Sequence, residues 1–300
     1  MLRITPEGAV FYDRKEGSVV RLDRDETRKL YEDIQFPDNV SAPEILHLEV
    51  SNRCNLNCSY CYVPKDGKEL PTKAWLKIID DVTKPEHPVF QVTFGGGEPF
   101  LRDDLLRLAE RAAERGVSRT VTTNGLLLPR QKAADLALFD AVNVSYHGNT
   151  ETVERALSYL AESGVRRGIN WVGRRSDQKS LERVADLCEK YDAELLILAY
   201  KTHSEPAEAI QPEELCSVAK QLSRSVRVAT DGATVGKCLC NYRFADVDSQ
   251  GNLLPCSFIR EPMGNLLENS FDEIWQRRKR KRECPYFDLN NYNCWEHKGN

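Results

Sequence analysis

The chain has 300 residues, of which 41% are hydrophobic and 29% charged, and its formal net charge is −4. That balance excludes wholesale disorder, and a small negative charge gives no global basic field for nucleic acid. No apolar run approaches the roughly 18–20 residues of a membrane span, and the start Met1-Leu2-Arg3-Ile4-Thr5-Pro6 lacks the apolar stretch of a secretory signal, so a cytoplasmic protein without a membrane partner is expected.

Residues 1–40 read as a small cap. Val10-Phe11-Tyr12 and Val19-Val20-Arg21-Leu22 flank Arg14-Lys15-Glu16-Gly17, the pattern of a hairpin with a glycine in its turn. A short helix is expected from about Asp25 to Ile34, ended by Phe36-Pro37-Asp38. From Glu44 the pattern changes to alternating strands and helices. Strands are expected near Ile45–Val50, Val89–Phe94, Arg119–Thr123, Ala141–Tyr146, Gly168–Val172 and Glu194–Ala199. Between them, Leu101–Arg115 and Leu181–Tyr191 each carry a one-sided apolar stripe. Such alternation implies parallel strands with crossover helices, and six units are too few for a closed eight-stranded barrel. The expected fold class is therefore α/β, an open or partial (βα)6 barrel over residues 44–212. Pro212 then opens a helix with Glu213 and Glu214 in its first turn, and residues 213–300 read as that helix plus a small cysteine-rich domain.

The ten cysteines are too few and too clustered for a secreted disulfide scaffold. Grouped thiols in a cytosolic chain hold metal or do redox work. Cys54, Cys58 and Cys61 lie directly after the first barrel strand, on a loop at its C-terminal end, where βα barrels build their active sites. Three thiolates on one loop suit an iron–sulfur cluster. A four-iron cubane held by three cysteines leaves one iron open to a small molecule, whereas structural zinc would need a fourth ligand. His47 is close in sequence but sits within the strand. After the second strand, Gly95-Gly96-Gly97-Glu98-Pro99 lets the backbone approach a ligand with no Cβ in the way, and it does not complete a dinucleotide fingerprint.

With these two motifs the chain resembles the radical S-adenosylmethionine (radical SAM) superfamily over nearly all of its length after residue 44. Cys54, Cys58 and Cys61 match that family's cluster motif, and Tyr60 its aromatic position before the third cysteine. The resemblance implies a [4Fe-4S] cluster whose open iron chelates S-adenosylmethionine. Reductive cleavage of the bound S-adenosylmethionine then gives a 5′-deoxyadenosyl radical, which takes a hydrogen atom from substrate. It also implies that Gly95, Gly96 and Gly97 meet the methionine end, with Glu98 shaping the loop. Asn124, Ser145, Asn170 and Arg174, at later strand ends, would hold the ribose and carboxylate. An external one-electron donor (a reductase, ferredoxin or flavodoxin) is implied as a partner.

The C-terminal segment carries Cys238, Cys240, Cys256, Cys284 and Cys294. Asp248-Ser249-Gln250-Gly251-Asn252 is a turn that returns Cys256 towards Cys238 and Cys240, and Ser270 caps a following helix. This order resembles the SPASM and twitch auxiliary-cluster extensions of radical SAM enzymes, with one auxiliary [4Fe-4S] cluster the better fit. Cys238 and Cys256 match the twitch pattern best, Cys284 and Cys294 would complete the set, Cys240 could replace one of them, and a structural zinc site is the alternative. Cys188 and Cys216 are expected as free thiols packed in the core. The basic run Arg277 to Arg282 reads as a solvated helix end. Enzymes with such extensions often modify peptides or proteins, which is the leading expectation. Cofactor biosynthesis, small-molecule oxidation or non-catalytic electron transfer are the alternatives.

Overall fold

The computed structural model describes residues 1–84, 89–201, 206–234 and 239–278. Its first unit is a three-stranded antiparallel sheet, β1 (Leu2–Thr5), β2 (Gly8–Asp13) and β3 (Ser18–Asp23), followed by α1 (Arg24–Leu30). The expected hairpin is thus β2–β3, and β1 adds a strand too short to show an alternating pattern. Helix α1 is shorter than the sequence suggests. Asp23 and Glu26 form a capping box at its start, and Tyr31 already leaves helical geometry at its end.

The second unit is one ten-stranded sheet. Its centre runs in chain order through β4 (Ile45–Ser51), β5 (Gln91–Gly96), β6 (Ser118–Thr123), β7 (Ala141–Ser145), β8 (Arg166–Gly173) and β9 (Glu194–Ala199), all parallel. These six strands are the expected ones, joined by α2 (Thr72–Val82), α3 (Leu105–Glu114), α4 (Ala133–Leu136), α5 (Thr150–Ser163) and α6 (Leu181–Lys190). A mixed α/β partial barrel results. Helix α3 starts four residues later than its apolar stripe suggests. Pro99–Leu101 forms a separate 3-10 turn, and the Arg102 guanidinium is drawn inward to the carbonyls of Val50 (2.7 Å) and Leu70 (3.0 Å).

Both edges of the barrel carry further strands. After α7 (Pro212–Leu222), β10 (Val228–Thr230) pairs parallel with β9. On the other side β11 (Phe244–Val247) pairs parallel with β4, and β12 (Asn252–Leu254) and β13 (Gly264–Asn265) continue antiparallel before α8 (Phe271–Arg277). The first hairpin of the cysteine-rich segment is thereby part of the barrel's own sheet. Helix α8 begins at the expected cap, with Ser270 and Glu273 forming a capping box. It seats Phe271 and Trp275 in the core, where the Trp275 indole donates to the Val40 carbonyl (3.0 Å). Ser270→Ala is expected to cost about 1 kcal/mol, read as a lower melting temperature and faster amide exchange in α8. Arg277 ends α8, and residues 279–282 of the basic run lie outside the described residues.

Strand alternation decides which side chains face the helices. Leu46, Leu48 and Val50 of β4, Val92 and Phe94 of β5, and Ala245 and Val247 of β11 join one continuous apolar core with Trp75 and Ile78 of α2 and Leu105 and Leu108 of α3. Full burial contributes about 1.5–3 kcal/mol for each large apolar side chain. The intervening residues therefore face the barrel interior, and they are polar: His47, Glu49, Thr93, Thr120, Asn170 and Asp246 among them. The Thr93–Thr120 hydroxyl pair, 2.9 Å apart, confirms that these positions share a face. At the end where the strands begin, the N-terminal sheet closes the barrel. Tyr12 stacks on Phe90 (centroids 5.4 Å apart), Arg21 pairs with Glu44 (2.6 and 2.5 Å), and Arg166 reaches the Glu16 carbonyl (2.8 Å). Only the other end of the barrel, where the strands finish, is left for the cysteine loop. No helix among the described residues is long and apolar enough to cross a membrane.

Candidate active site

Beta-strand β4 ends at Ser51, and the loop after it carries Cys54, Cys58 and Cys61, all free thiols, with Cys61 exposed. The loop is held from three sides. Gly97 N–H donates to the Ser51 carbonyl (2.6 Å), and Glu98 N–H donates to the Arg53 carbonyl (2.8 Å), so the end of β5 clasps the start of the loop. Asn124, at the end of β6, donates to the Asn55 side chain (2.6 Å) between the first two cysteines. From within the loop, Lys65 reaches back to the Leu56 carbonyl (3.0 Å) and the Asn57 side chain (2.7 Å). The Cys58 thiol is pushed up by burial and by the charges of Cys61 and Cys54. Thiols close enough to oppose one another's ionisation suit a shared cation, and this donor set fits iron.

The glycines also serve the packing of this strand end. A Cβ on Gly96 would lie 2.3 Å from the Ser51 carbonyl oxygen, one on Gly97 2.0 Å from the Arg53 carbonyl oxygen, and one on Gly95 2.1 Å from His47 Nε2. Their missing side chains make room for β4 and the cysteine loop. Gly96 also has φ +103, a conformation L side chains rarely adopt. Glu98 is fully buried and ties two strand ends together. Its carboxylate accepts from Thr123 Oγ1 (2.8 Å), Asn124 N–H (2.8 Å) and Phe100 N–H (3.2 Å). Burial raises its pKa and these bonds oppose the rise. Glu98 thus shapes the loop.

Over the loop, Tyr60 joins the later strand ends. Its hydroxyl lies 2.9 Å from His147 Nδ1, just past β7, and the Cys58 sulfur lies 3.6 Å from the same nitrogen. The Arg174 guanidinium, just past β8, sits 4.7 Å from the Tyr60 ring centre and 5.6 Å from that of Tyr200 after β9. Ser145 closes β7 opposite Asn170 of β8, whose side-chain oxygen is buried without a hydrogen-bond partner among the described residues. All the sequence-derived barrel residues therefore converge on one end. His147 and Tyr200 join them. Their signal was close to the one used for Ser145 and Arg174, a polar or aromatic residue at or just past the end of a strand.

In the C-terminal segment the Cys240 thiol donates towards Cys256, which is buried. That bond, opposed by burial and helped by the N–H groups of Phe258 and Ile259, lowers the Cys256 thiol to about 7. Two adjacent thiols, one easily ionised, fit a thiolate-ligated cluster. Cys240 thus lies beside Cys256, where the turn is expected to bring them together. Cys238, Cys284 and Cys294 lie outside the described residues. Cys188 is buried and free in the core as expected, but Cys216, also buried, has its sulfur in a disulfide and is not the free thiol foreseen.

A further group, not foreseen, lies inside the barrel between β4 and β11. His47 Nδ1 and Asp246 Oδ2 are 3.0 Å apart, and Arg260 grips Glu49 through both oxygens (2.6 and 3.0 Å). Burial pushes Glu49 up to about 7, with the Asp246 charge adding and Arg260 opposing. For His47 burial works downward, yet Asp246 and Glu49 carry its pKa above 6.5. Both groups hold protons more tightly folded than unfolded, so stability must fall as pH rises. The Glu49 part is lost between 4.5 and about 7, and the His47 part from 6.5 upward. The melting temperature is expected to decline across this range, and Glu49→Gln should flatten the lower part of the decline.

Comparison with known proteins agrees with this geometry. A sequence profile of the Radical SAM superfamily matches residues 48–210, and one of an iron-sulfur cluster-binding domain (SPASM) matches residues 238–296. The mycofactocin maturase MftC of Mycobacterium ulcerans is 30% identical over 287 residues, covering 81% of this chain and 77% of that protein. The PqqA peptide cyclase of Granulibacter bethesdensis is 27% identical over 280 residues, covering 79% and 74%. Among solved structures, Streptococcus suis SuiB bound to its precursor peptide SuiA superposes with a TM-score of 0.71 at 17% identity, over 92% of this chain and 86% of SuiB, a likeness of fold.

Proposed function

The chain belongs to the radical SAM superfamily, and from that premise we propose that it modifies a peptide, with the strand-end pocket as the place where hydrogen is taken. As a radical SAM enzyme with an iron–sulfur extension it uses a [4Fe-4S] cluster, S-adenosylmethionine and an auxiliary cluster. When bound, these supply the reducing electron and the 5′-deoxyadenosyl radical. Cys54, Cys58 and Cys61 hold the first cluster. Cys240 and Cys256 belong to the auxiliary set, with further thiols drawn from among Cys238, Cys284 and Cys294. The edge of β5 at Gly95–Gly97 meets the methionine end of S-adenosylmethionine. Asn124, Ser145, Asn170 and Arg174 offer polar groups to the rest of it, and Tyr60 with Tyr200 walls the pocket.

The observation that carries the reading is the convergence of Cys54–Cys61, Glu98, Asn124, His147 and Arg174 on the open end of a polar-lined barrel, in a chain whose relatives include a maturase and a peptide cyclase. The electron donor is a small redox protein, a reductase, ferredoxin or flavodoxin, that approaches the exposed Cys61 side of the loop.

The test uses the reduced, iron-loaded protein with unlabelled S-adenosylmethionine and cell extract grown in D2O, separated into peptide and small-molecule fractions. Hydrogen abstraction from a peptide transfers deuterium into 5′-deoxyadenosine only with the peptide fraction. Transfer from the small-molecule fraction alone would overturn the peptide reading and favour small-molecule chemistry.

A further inference from the structure

The group inside the barrel has a net charge that can be counted. Once Glu49 has ionised, above about pH 7, Glu49 and Asp246 bring two negative charges and Arg260 one positive charge, with a neutral His47 beside them. One negative charge remains inside a desolvated site. A single proton balances it, whereas a divalent cation would overshoot and would compete with Arg260 for both Glu49 oxygens. The hydrogen bonds also set the tautomer. Asp246 holds the Nδ1–H of His47, which leaves Nε2 as the basic nitrogen. Nε2 makes no hydrogen bond among the described residues and lies against Gly95, whose missing side chain leaves it room. Asp246 is fully buried, and its Oδ1 has no hydrogen-bond partner among the described residues. An acceptor left unsatisfied inside a low-dielectric site costs about 1–3 kcal/mol unless something donates to it.

The geometry points to the His47–Asp246 pair, backed by Glu49 and Arg260, as the proton acceptor for a substrate N–H or O–H in the barrel interior. The inference rests on the peptide reading given above. In the step, a bond forms between His47 Nε2 and the proton, the substrate's heteroatom–hydrogen bond breaks, and the electron pair stays on the heteroatom. The imidazolium that results is balanced by Asp246. A peptide backbone amide or a Ser, Thr or Tyr hydroxyl is the chemical class that fits, because the unsatisfied Asp246 oxygen also asks for a donor. The charged groups facing His47 are Glu49 on its own strand, Asp246 from β11 and Arg260 from the loop after β12; behind them, Asp248 acts on Arg260, and Tyr62 of the cysteine loop lies near Glu49 and Asp246.

The first measurement needs no substrate. In the oxidised, iron-loaded protein with ¹⁵N-labelled histidine, NMR should show His47 as the Nδ1–H tautomer with Nε2 titrating above an ordinary histidine. Asp246→Asn should lose that tautomer preference. An Nε2–H tautomer, or a His47 that does not titrate, would overturn the inference. The second measurement uses the deuterated peptide fraction. His47→Gln should still move deuterium into 5′-deoxyadenosine, while the peptide mass change made by the wild type falls about 10²-fold. His47→Ala should recover part of it with added imidazole, and Asp246→Asn should move the acid limb of the pH profile to lower pH. Unchanged product formation in all three variants would overturn the inference and leave the peptide reading standing. A wild type that moves no deuterium from peptides would overturn that reading itself, with the NMR result then deciding the proton site.

Discussion

Changing Cys54, Cys58 and Cys61 together to alanine is expected to abolish 5′-deoxyadenosine formation. The three thiols share one loop after β4, and the loop is clasped by Gly97, Glu98 and Asn124. Alanine offers iron no ligand, while the clasp uses backbone atoms and the Asn55 side chain, so the fold should survive. The auxiliary cysteines are untouched. The variant should therefore keep about four irons per chain, against about eight in the wild type, with a thiolate-to-iron absorption band. Full loss of iron would mean that the loop and the auxiliary segment do not load independently. Undiminished 5′-deoxyadenosine from the anaerobic, reduced variant would remove the assignment of these cysteines.

Gly96→Val is expected to have the largest effect on stability, about 3–5 kcal/mol. The added Cβ would meet the Ser51 carbonyl at 2.3 Å, and that atom is backbone at the end of β4 that cannot swing away. The positive φ adds strain of its own. Because the loop is also clasped here, binding of S-adenosylmethionine should fall together with the melting temperature. Gly116→Ala is the control. It has φ +74 but nothing within 4 Å of the added Cβ, so only the backbone strain of about 1 kcal/mol applies. A Gly96→Val protein that melts like the wild type yet binds S-adenosylmethionine weakly would show that this glycine serves the ligand and not the packing.

The barrel was legible because its signals are local. Most of β4 to β9 carry apolar residues that alternate with polar ones or run together, helices with one apolar face lie between them, and the cysteine spacing sits on one loop. What escaped was set by pairing across the chain. Asp246 meets His47 only because β11 adds parallel to β4, a contact spanning nearly two hundred residues that no periodicity reports. His47 looked like a strand residue and is one, but its partner gives it a role. The packing role of the glycines also escaped, because the close neighbours of Gly96 and Gly97 are the Ser51 and Arg53 carbonyls, which only the register of β4 and β5 brings there. Helix α3 began late because Arg102 prefers two buried carbonyls to a helical position, a choice that depends on Val50 and Leu70 from elsewhere in the fold.

The most direct test of the account is low-temperature electron paramagnetic resonance of the reduced, iron-loaded protein with and without S-adenosylmethionine. If S-adenosylmethionine binds the open iron beside Cys54, Cys58 and Cys61, its addition changes the signal of one cluster and leaves the auxiliary signal as it was. The Cys54, Cys58 and Cys61 alanine variant then shows only the unchanged auxiliary signal. Wild-type spectra identical with and without S-adenosylmethionine, in protein carrying its full iron, would contradict it.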